Sequence, residues 1–296
     1  MQTLPVTEAP AATQIKPMGQ IAFGGQAFAP QLPALELPTE DGIPMESPWH
    51  SANMTLLIDS IRTVWRDRTD YYCGGNMFIY FSLDQAHQVI EEVGRGELPP
   101  PSRRAFRGPD FFVVLDVDGA RPRDTWIVWE EQGRYPNVIV ELQSPSTASY
   151  DEGRKKTLYE QTFRTPDYFC VDPVAMELKG WHLANKHYAT LTANEQGRLW
   201  CIQLGMWLGW WEGVYQGKAG TWARFFDRDG NLVLTLAEVE AQRAEAQAQR
   251  AEAQAQRAEA EAQRARTTEA ENVRLRAVLL KAGIDPNEVK TQADKE

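Results

Sequence analysis

Two acidic residues of this 296-residue chain stand against strongly apolar runs: Asp110 heads PDFFVVLD, and Glu141 ends VIVE. A strand buried on both faces excludes charge, because a lone ionised carboxylate in low dielectric is very costly. A carboxylate there must be neutralised by a cation, a partner group or a metal. Side chains alternate along Val138–Leu142, so Ile139 and Glu141 share a face. Two carboxylates from neighbouring strands can converge on one divalent ion, and oxygen ligands with retained waters suit magnesium or manganese. Further on, Ser144-Pro145-Ser146-Thr147 turns the chain into a helix beginning near Asp151, with Lys155 and Tyr159 one turn apart on one face. A lysine reaching back would lower the repulsion between the carboxylates. It could also orient water or offset the charge that builds on a phosphate.

Those residues need elements to hold them. Met54, Leu57, Ile58, Ile61, Val64 and Trp65 recur at helical spacing, which predicts an amphipathic helix from about Pro48 that stops near Asp70. After a turn at Gly74-Gly75, NMFIYFS reads as a strand. Residues 84–107 read as an irregular insertion with a helix-like piece at His87–Val93, the breaker run Pro99-Pro100-Pro101 and the basic cluster Arg103, Arg104 and Arg107. Strands are expected at Phe111–Leu115, Trp126–Trp129, Val138–Leu142 and Tyr168–Val171, with a helix over Asp151–Phe163. From Leu178 to Phe226 short strands alternate with turns, and MWLGWWEGVY packs such a sheet more simply than it makes a ligand platform.

Composition bounds the rest. Hydrophobic residues make up 43% of the chain and there are ten Trp, enough for a sizeable core. Cys73, Cys170 and Cys201 are too widely spaced for a zinc knuckle or redox motif and read as small buried hydrophobes, as in a reducing compartment. No signal peptide and no membrane-spanning stretch is read, so the expectation is a soluble cytoplasmic protein without membrane contact. The net charge of −10 argues against a broad non-specific grip on nucleic acid, leaving contact to local patches.

The organisation expected is a flexible leader over 1–45, a domain over 46–235, a heptad-repeat helix over 236–282 and a tail over 283–296. The domain divides into a core of about 49–173 and a β-rich extension over 174–235. In the C-terminal helix Gln-Arg recurs every seven residues, and Ala244, Ala248, Ala251, Ala255, Ala258 and Ala262 form an a/d seam. The helix is a solvated single helix or a thin coiled coil joining two copies; the apolar end at Leu275, Val278 and Leu279 favours the homodimer.

From about Trp49 to Asp172 the chain resembles the Uma-two family of the PD-(D/E)XK, restriction-endonuclease-like superfamily. Pro109-Asp110, VIVELQSPST, DEGRKKTLY and TPDYFCVDP carry the likeness, and the tail ending in AGIDP resembles many members. The resemblance implies an α/β fold, a restriction-endonuclease-like mixed sheet flanked by helices. It also implies Asp110 and Glu141 as metal ligands for Mg2+ or Mn2+. In the parent superfamily the catalytic lysine stands two residues after the glutamate. Here that position is Gln143, and the lysine matches Lys155 on the following helix. Lys156 is adjacent, but a helix turns about 100° per residue, so the two cannot point at the site equally.

Gln143 and His50 are accessory candidates: Gln143 for a phosphate or water, His50 because some superfamily members place a further active-site residue near the first helix. Helix entry or packing is the simpler role for His50. Arg103, Arg104 and Arg107 are a candidate DNA-backbone clamp, with a solvated loop as the default. Asp151 reads as a helix N-terminal acid, and Asp116 and Asp118 as turn residues. His182 and His187 have no partner at ligand spacing, and neither a phosphate-binding glycine loop nor a serine elbow is present. The function expected is Mg-dependent hydrolysis of phosphodiester bonds in DNA by an endonuclease. The alternative is a nuclease-fold binding or assembly module, weak or inactive in cleavage, that dimerises through its C-terminal helix.

Overall fold

Ser47 starts the first helix. Its hydroxyl accepts a hydrogen bond from the His50 N–H at 3.2 Å, and Pro48 takes the first helical position, where a missing N–H is no loss. The computed structural model describes residues 37–38, 47–95, 108–144, 148 and 151–285. Most of the expected leader, the cluster Arg103, Arg104 and Arg107, and the tail beyond Asp285 lie outside the described residues.

Helix α1 spans Pro48–Val64, and strand β1 spans Tyr71–Gly74. The strand expected through NMFIYFS shrinks to β2, Ile79–Tyr80, and the piece at His87–Val93 grows into α2, Leu83–Gly94, capped by Ser82. Strand β3 is Phe111–Leu115, and β4 is only Trp126–Ile127, paired with β2 in a two-stranded parallel patch. Strand β5, Val138–Leu142, is buried at all five positions. The segment α3 is helical throughout but not uniform: Asp151–Lys155 and Tyr159–Phe163 are π-helical, and Lys156–Leu158 between them is α-helical. Then come β6 (Asp167–Asp172), β7 (Glu177–Ala184), β8 (His187–Thr190), β9 (Leu199–Cys201), β10 (Met206–Tyr215), β11 (Lys218–Phe226) and α4 (Leu236–Lys281).

The central sheet has six strands in the order β1-β3-β5-β6-β7-β8, with β5 and β6 parallel and its other pairs antiparallel. Each face carries its own core. One holds Leu57 and Ile61 of α1 with Phe111, Val113, Val140, Phe169 and Leu208. The other holds Phe112, Ile139, Tyr168 and Trp181 with Tyr159 and Phe163 of α3. Helices thus flank a mixed sheet, as expected of the fold class.

The region read as one β-rich extension, 174–235, divides in two. Strands β7 and β8 complete the central sheet, while β9, β10 and β11 form a separate three-stranded sheet in the order β11-β10-β9. β11 is an edge of that sheet, and α1 covers it. The Asn53 side chain accepts from Ala223 N–H at 2.8 Å and donates to Ala223 O at 3.1 Å, and Trp49 Nε1 donates to Thr221 O at 2.9 Å. These bonds satisfy backbone groups that an open edge would leave exposed. The Trp-dense run is spent on packing: Trp49 stacks on Trp222 and tilts against Trp210.

Helix α4 is fastened at its start. Thr235 and Glu238 form a reciprocal cap, and fully buried Arg224 grips Glu238 through two bonds of 2.9 and 2.7 Å. None of its 46 residues is buried. Among the described residues, no helix is long and apolar enough to cross a membrane.

Candidate active site

The site forms where β3 begins and β5 ends. Phe111 pairs with Val140, so continuing the register by one residue sets Asp110 opposite Glu141. Directly opposed like charges repel, and the site is built to answer that. Asp110 Oδ2 accepts the Leu142 N–H at 2.7 Å, and its Oδ1 lies 2.8 Å from His50 Nε2. Glu141, fully buried, receives Lys155 Nζ on Oε2 at 2.9 Å and the Tyr159 hydroxyl on Oε1 at 2.9 Å. Gly75 allows the close approach that seats Asp110: a Cβ there would sit 2.1 Å from the Asp110 carbonyl oxygen.

Lys155 is shared, because its Nζ also lies 2.8 Å from Asp151 Oδ1. Its neighbour Lys156 is turned elsewhere, with Nζ 4.2 Å from the centroid of the Trp181 ring. The π winding of α3 explains how several residues reach one place. In an α-helix a step of four overshoots the turn by about 40°, so a row spaced by four drifts around the axis. Bonds from i to i+5 wind the chain more loosely and reduce that drift. Asp151, Lys155, Tyr159 and Phe163 are spaced by four, and Asp151, Tyr159 and Phe163 are all buried.

Electrostatics follow from burial. Desolvation pushes Glu141 well above the ordinary carboxylate range; Lys155 pulls it down, while Asp110 and Asp151 raise it. Burial opposes charge on Lys155 too, but Glu141 and Asp151 hold its ammonium well above the usual value. Among the described residues, the Lys155 ammonium thus lies against two carboxylates, Glu141 and Asp151, with Asp110 at the head of the next strand, a cluster of oxygens that a cation would stabilise.

Among the described residues, no group of three or more His, Cys, Asp or Glu side chains could by itself cage a metal ion. Magnesium does not require one, since it keeps several waters and takes one or two carboxylates. Each carboxylate oxygen has two lone pairs, so Asp110 and Glu141 retain acceptor capacity beyond the bonds described. Hard oxygen donors on adjacent strands fit such an ion. Side-chain exposure of 16% at Asp110 and 15% at Lys155, against 0% at Glu141, sets the approach on their side.

Of the residues singled out from the sequence, Asp110, Glu141, Lys155 and His50 come together. Gln143 is 4% exposed and donates to Ala148 O at 3.2 Å, ahead of α3. Asp116 and Asp118 are turn residues: Asp116 has φ +56°, and Asp118 caps the Ala120 N–H at 3.0 Å. His182 does have an acidic partner, since Asp167, directly across the β6–β7 pair, lies 2.7 Å from its Nδ1. The three cysteines are free and buried. Sequence reasoning missed Asp151, taken only as a helix-start acid, and the Tyr159 bond to Glu141; their four-residue spacing about Lys155 was the available signal.

A six-stranded mixed sheet between helices agrees with the architecture expected of the restriction-endonuclease-like class. The particular family follows from the sequence itself: residues 26–214 match the Uma2 (Uma-two) family, described as "Putative restriction endonuclease", and the chain belongs to it. A solved structure from Anabaena variabilis, titled as a putative nuclease belonging to DUF820, is similar at 12% identity and a TM-score of 0.36, over 54% of this chain and 76% of that one. No curated protein matches the chain.

Proposed function

We propose that the protein is a metal-dependent endonuclease that hydrolyses phosphodiester bonds in DNA, with Asp110 and Glu141 as ligands of Mg2+ or Mn2+ and Lys155 as the catalytic cation. The observation that carries the reading is the meeting of those three side chains at one strand end, with Glu141 buried and Lys155 bonded to it. A divalent cation held there supplies Lewis acidity toward the phosphate and the attacking water. Glu141, fixed from two sides, offers its oxygens in one orientation. Asp110 lies on the more open side, where the phosphate arrives. Lys155 keeps its charge beside Glu141 and is accessible enough to offset the negative charge that grows on the phosphoryl oxygens. His50 holds Asp110 in place from the α1 side.

The test is cleavage of duplex DNA, single strands and RNA with and without Mg2+. Duplex cleavage that requires the ion is expected. Asp110→Ala, Glu141→Ala and Lys155→Ala should each lower kcat by at least about 100-fold. A Glu141→Ala protein as active as the parent would sink the proposal. A non-cleaving assembly module is the second reading, favoured by Gln143 in place of the superfamily's lysine and turned to the Ala148 carbonyl. Absence of Mg2+ binding in calorimetry would support it. In either reading, the exposed heptad seam of α4 would pair two copies of the chain.

A further inference from the structure

Tyr159 and Asp151 stand one step of four on either side of Lys155, and both are buried, at 0% and 1% exposure. Each makes a polar contact with a member of the triad: the Tyr159 hydroxyl with Glu141 Oε1 at 2.9 Å, and Asp151 Oδ1 with Lys155 Nζ at 2.8 Å. Each is itself held from behind. The Tyr159 ring lies 5.2 Å from both Phe163 and Tyr168, and the Tyr168 hydroxyl donates to the Asp151 carbonyl at 3.0 Å, tying the first turn of α3 to β6. Packing alone would be served by phenylalanine at 159, and a helix-start acid would be served in solvent.

We propose that Asp151 and Tyr159 are positioning residues: Tyr159 fixes the direction in which the Glu141 carboxylate meets a divalent cation, and Asp151 fixes the Lys155 ammonium beside it. The assignment rests on the metal-site reading above and adds two residues that act through others. Glu141 is braced on both oxygens, Oε1 by Tyr159 and Oε2 by Lys155, so it cannot rotate without breaking a buried bond. Lys155 is braced between two carboxylates, so it does not have to be recruited from solvent when substrate arrives. Losing a group that orients a metal ligand typically costs about 10–100-fold in metal affinity or activity.

The two roles separate by measurement on the full-length chain. Tyr159→Phe keeps the ring and removes one hydroxyl, and should weaken Mg2+ binding in calorimetry by about 10-fold or more. Tyr168→Phe takes its hydroxyl from the Asp151 carbonyl and not from Glu141, and should bind Mg2+ as the parent does. Asp151→Asn should also bind Mg2+ nearly as the parent does, yet lower kcat about 10-fold or more at saturating Mg2+, with KM little changed. A Tyr159→Phe protein with parental Mg2+ affinity overturns the assignment of Tyr159, whatever its melting temperature. An Asp151→Asn protein with parental kcat overturns that of Asp151. A parent that binds no Mg2+ overturns the metal reading and this assignment with it, a result distinct from the other two.

Discussion

Glu141 shows how a buried charge is made tolerable. Burying an ionised carboxylate without partners costs several kcal/mol; two partners at 2.9 Å lower that cost at Glu141, yet desolvation prevails and keeps its carboxyl above the ordinary range. Asp110 and Asp151 stand close enough to Glu141 to add to that cost. A site of this kind trades stability for readiness to take up a cation. For that reason the alanine variants at Asp110, Glu141 and Lys155 should lose cleavage, while Tyr159→Phe and Asp151→Asn divide metal affinity from turnover. The choice of Lys155 over Lys156 is likewise a residue-scale fact, since one reaches Glu141 and the other lies on Trp181.

At the scale of elements, α1 does two jobs. Its first turn presents His50 to Asp110, and its next turn closes the edge of β11 through Asn53. Asn53 is fully buried, so Asn53→Ala would leave the Ala223 N–H and C=O unpaired in the core. Each such orphan costs about 1–3 kcal/mol, and a loss of roughly 2 kcal/mol or more in urea unfolding is expected. A loss under about 0.5 kcal/mol would show that the edge is satisfied some other way. The anchor of α4 gives a pH dependence. Burial tends to raise the Glu238 carboxyl, but its hydrogen bonds from Arg224 and Thr235 prevail and hold it below the ordinary 4.5. A depressed folded-state carboxyl contributes stability above the unfolded value and loses it as pH falls through the folded one. The melting-temperature gap between the parent and Glu238→Gln should therefore be full near neutral pH and shrink below about pH 4.5. A gap independent of pH would mean that Glu238 acts by packing alone.

At the scale of the whole molecule, α4 is a helix of 46 residues with no buried side chain. At about 1.5 Å per residue it is roughly 70 Å long, and a helix so exposed is either solvated along its length or paired. The strict seven-residue repeat and its alanine seam favour pairing with a second copy, held weakly because alanine buries little area. Sedimentation of the full chain should show a dimer that dissociates on dilution, and Ala251→Glu with Ala258→Glu should leave a monomer of unchanged helicity. A dimer that survives both substitutions would move the interface off α4.

The residue patterns by themselves determined much of this protein. Apolar runs at 111–115 and 138–142 fixed the central strands, and helical spacing from Met54 to Trp65 fixed α1, because burial periodicity is a local property of a chain. The paired carboxylates were legible for the same reason, as charge set against apolar sequence. Only the tertiary structure decided what meets across long separations. It brought His50 to Asp110, Asn53 to Ala223 and Arg224 to Glu238, and it split the expected extension between two sheets. Such contacts depend on register and on which strand lies at an edge, and no local pattern encodes those. The part played by Asp151 and Tyr159 lay between the two: their spacing was visible, but the π winding of α3 and the meeting of Tyr159 with Glu141 on β5 were not.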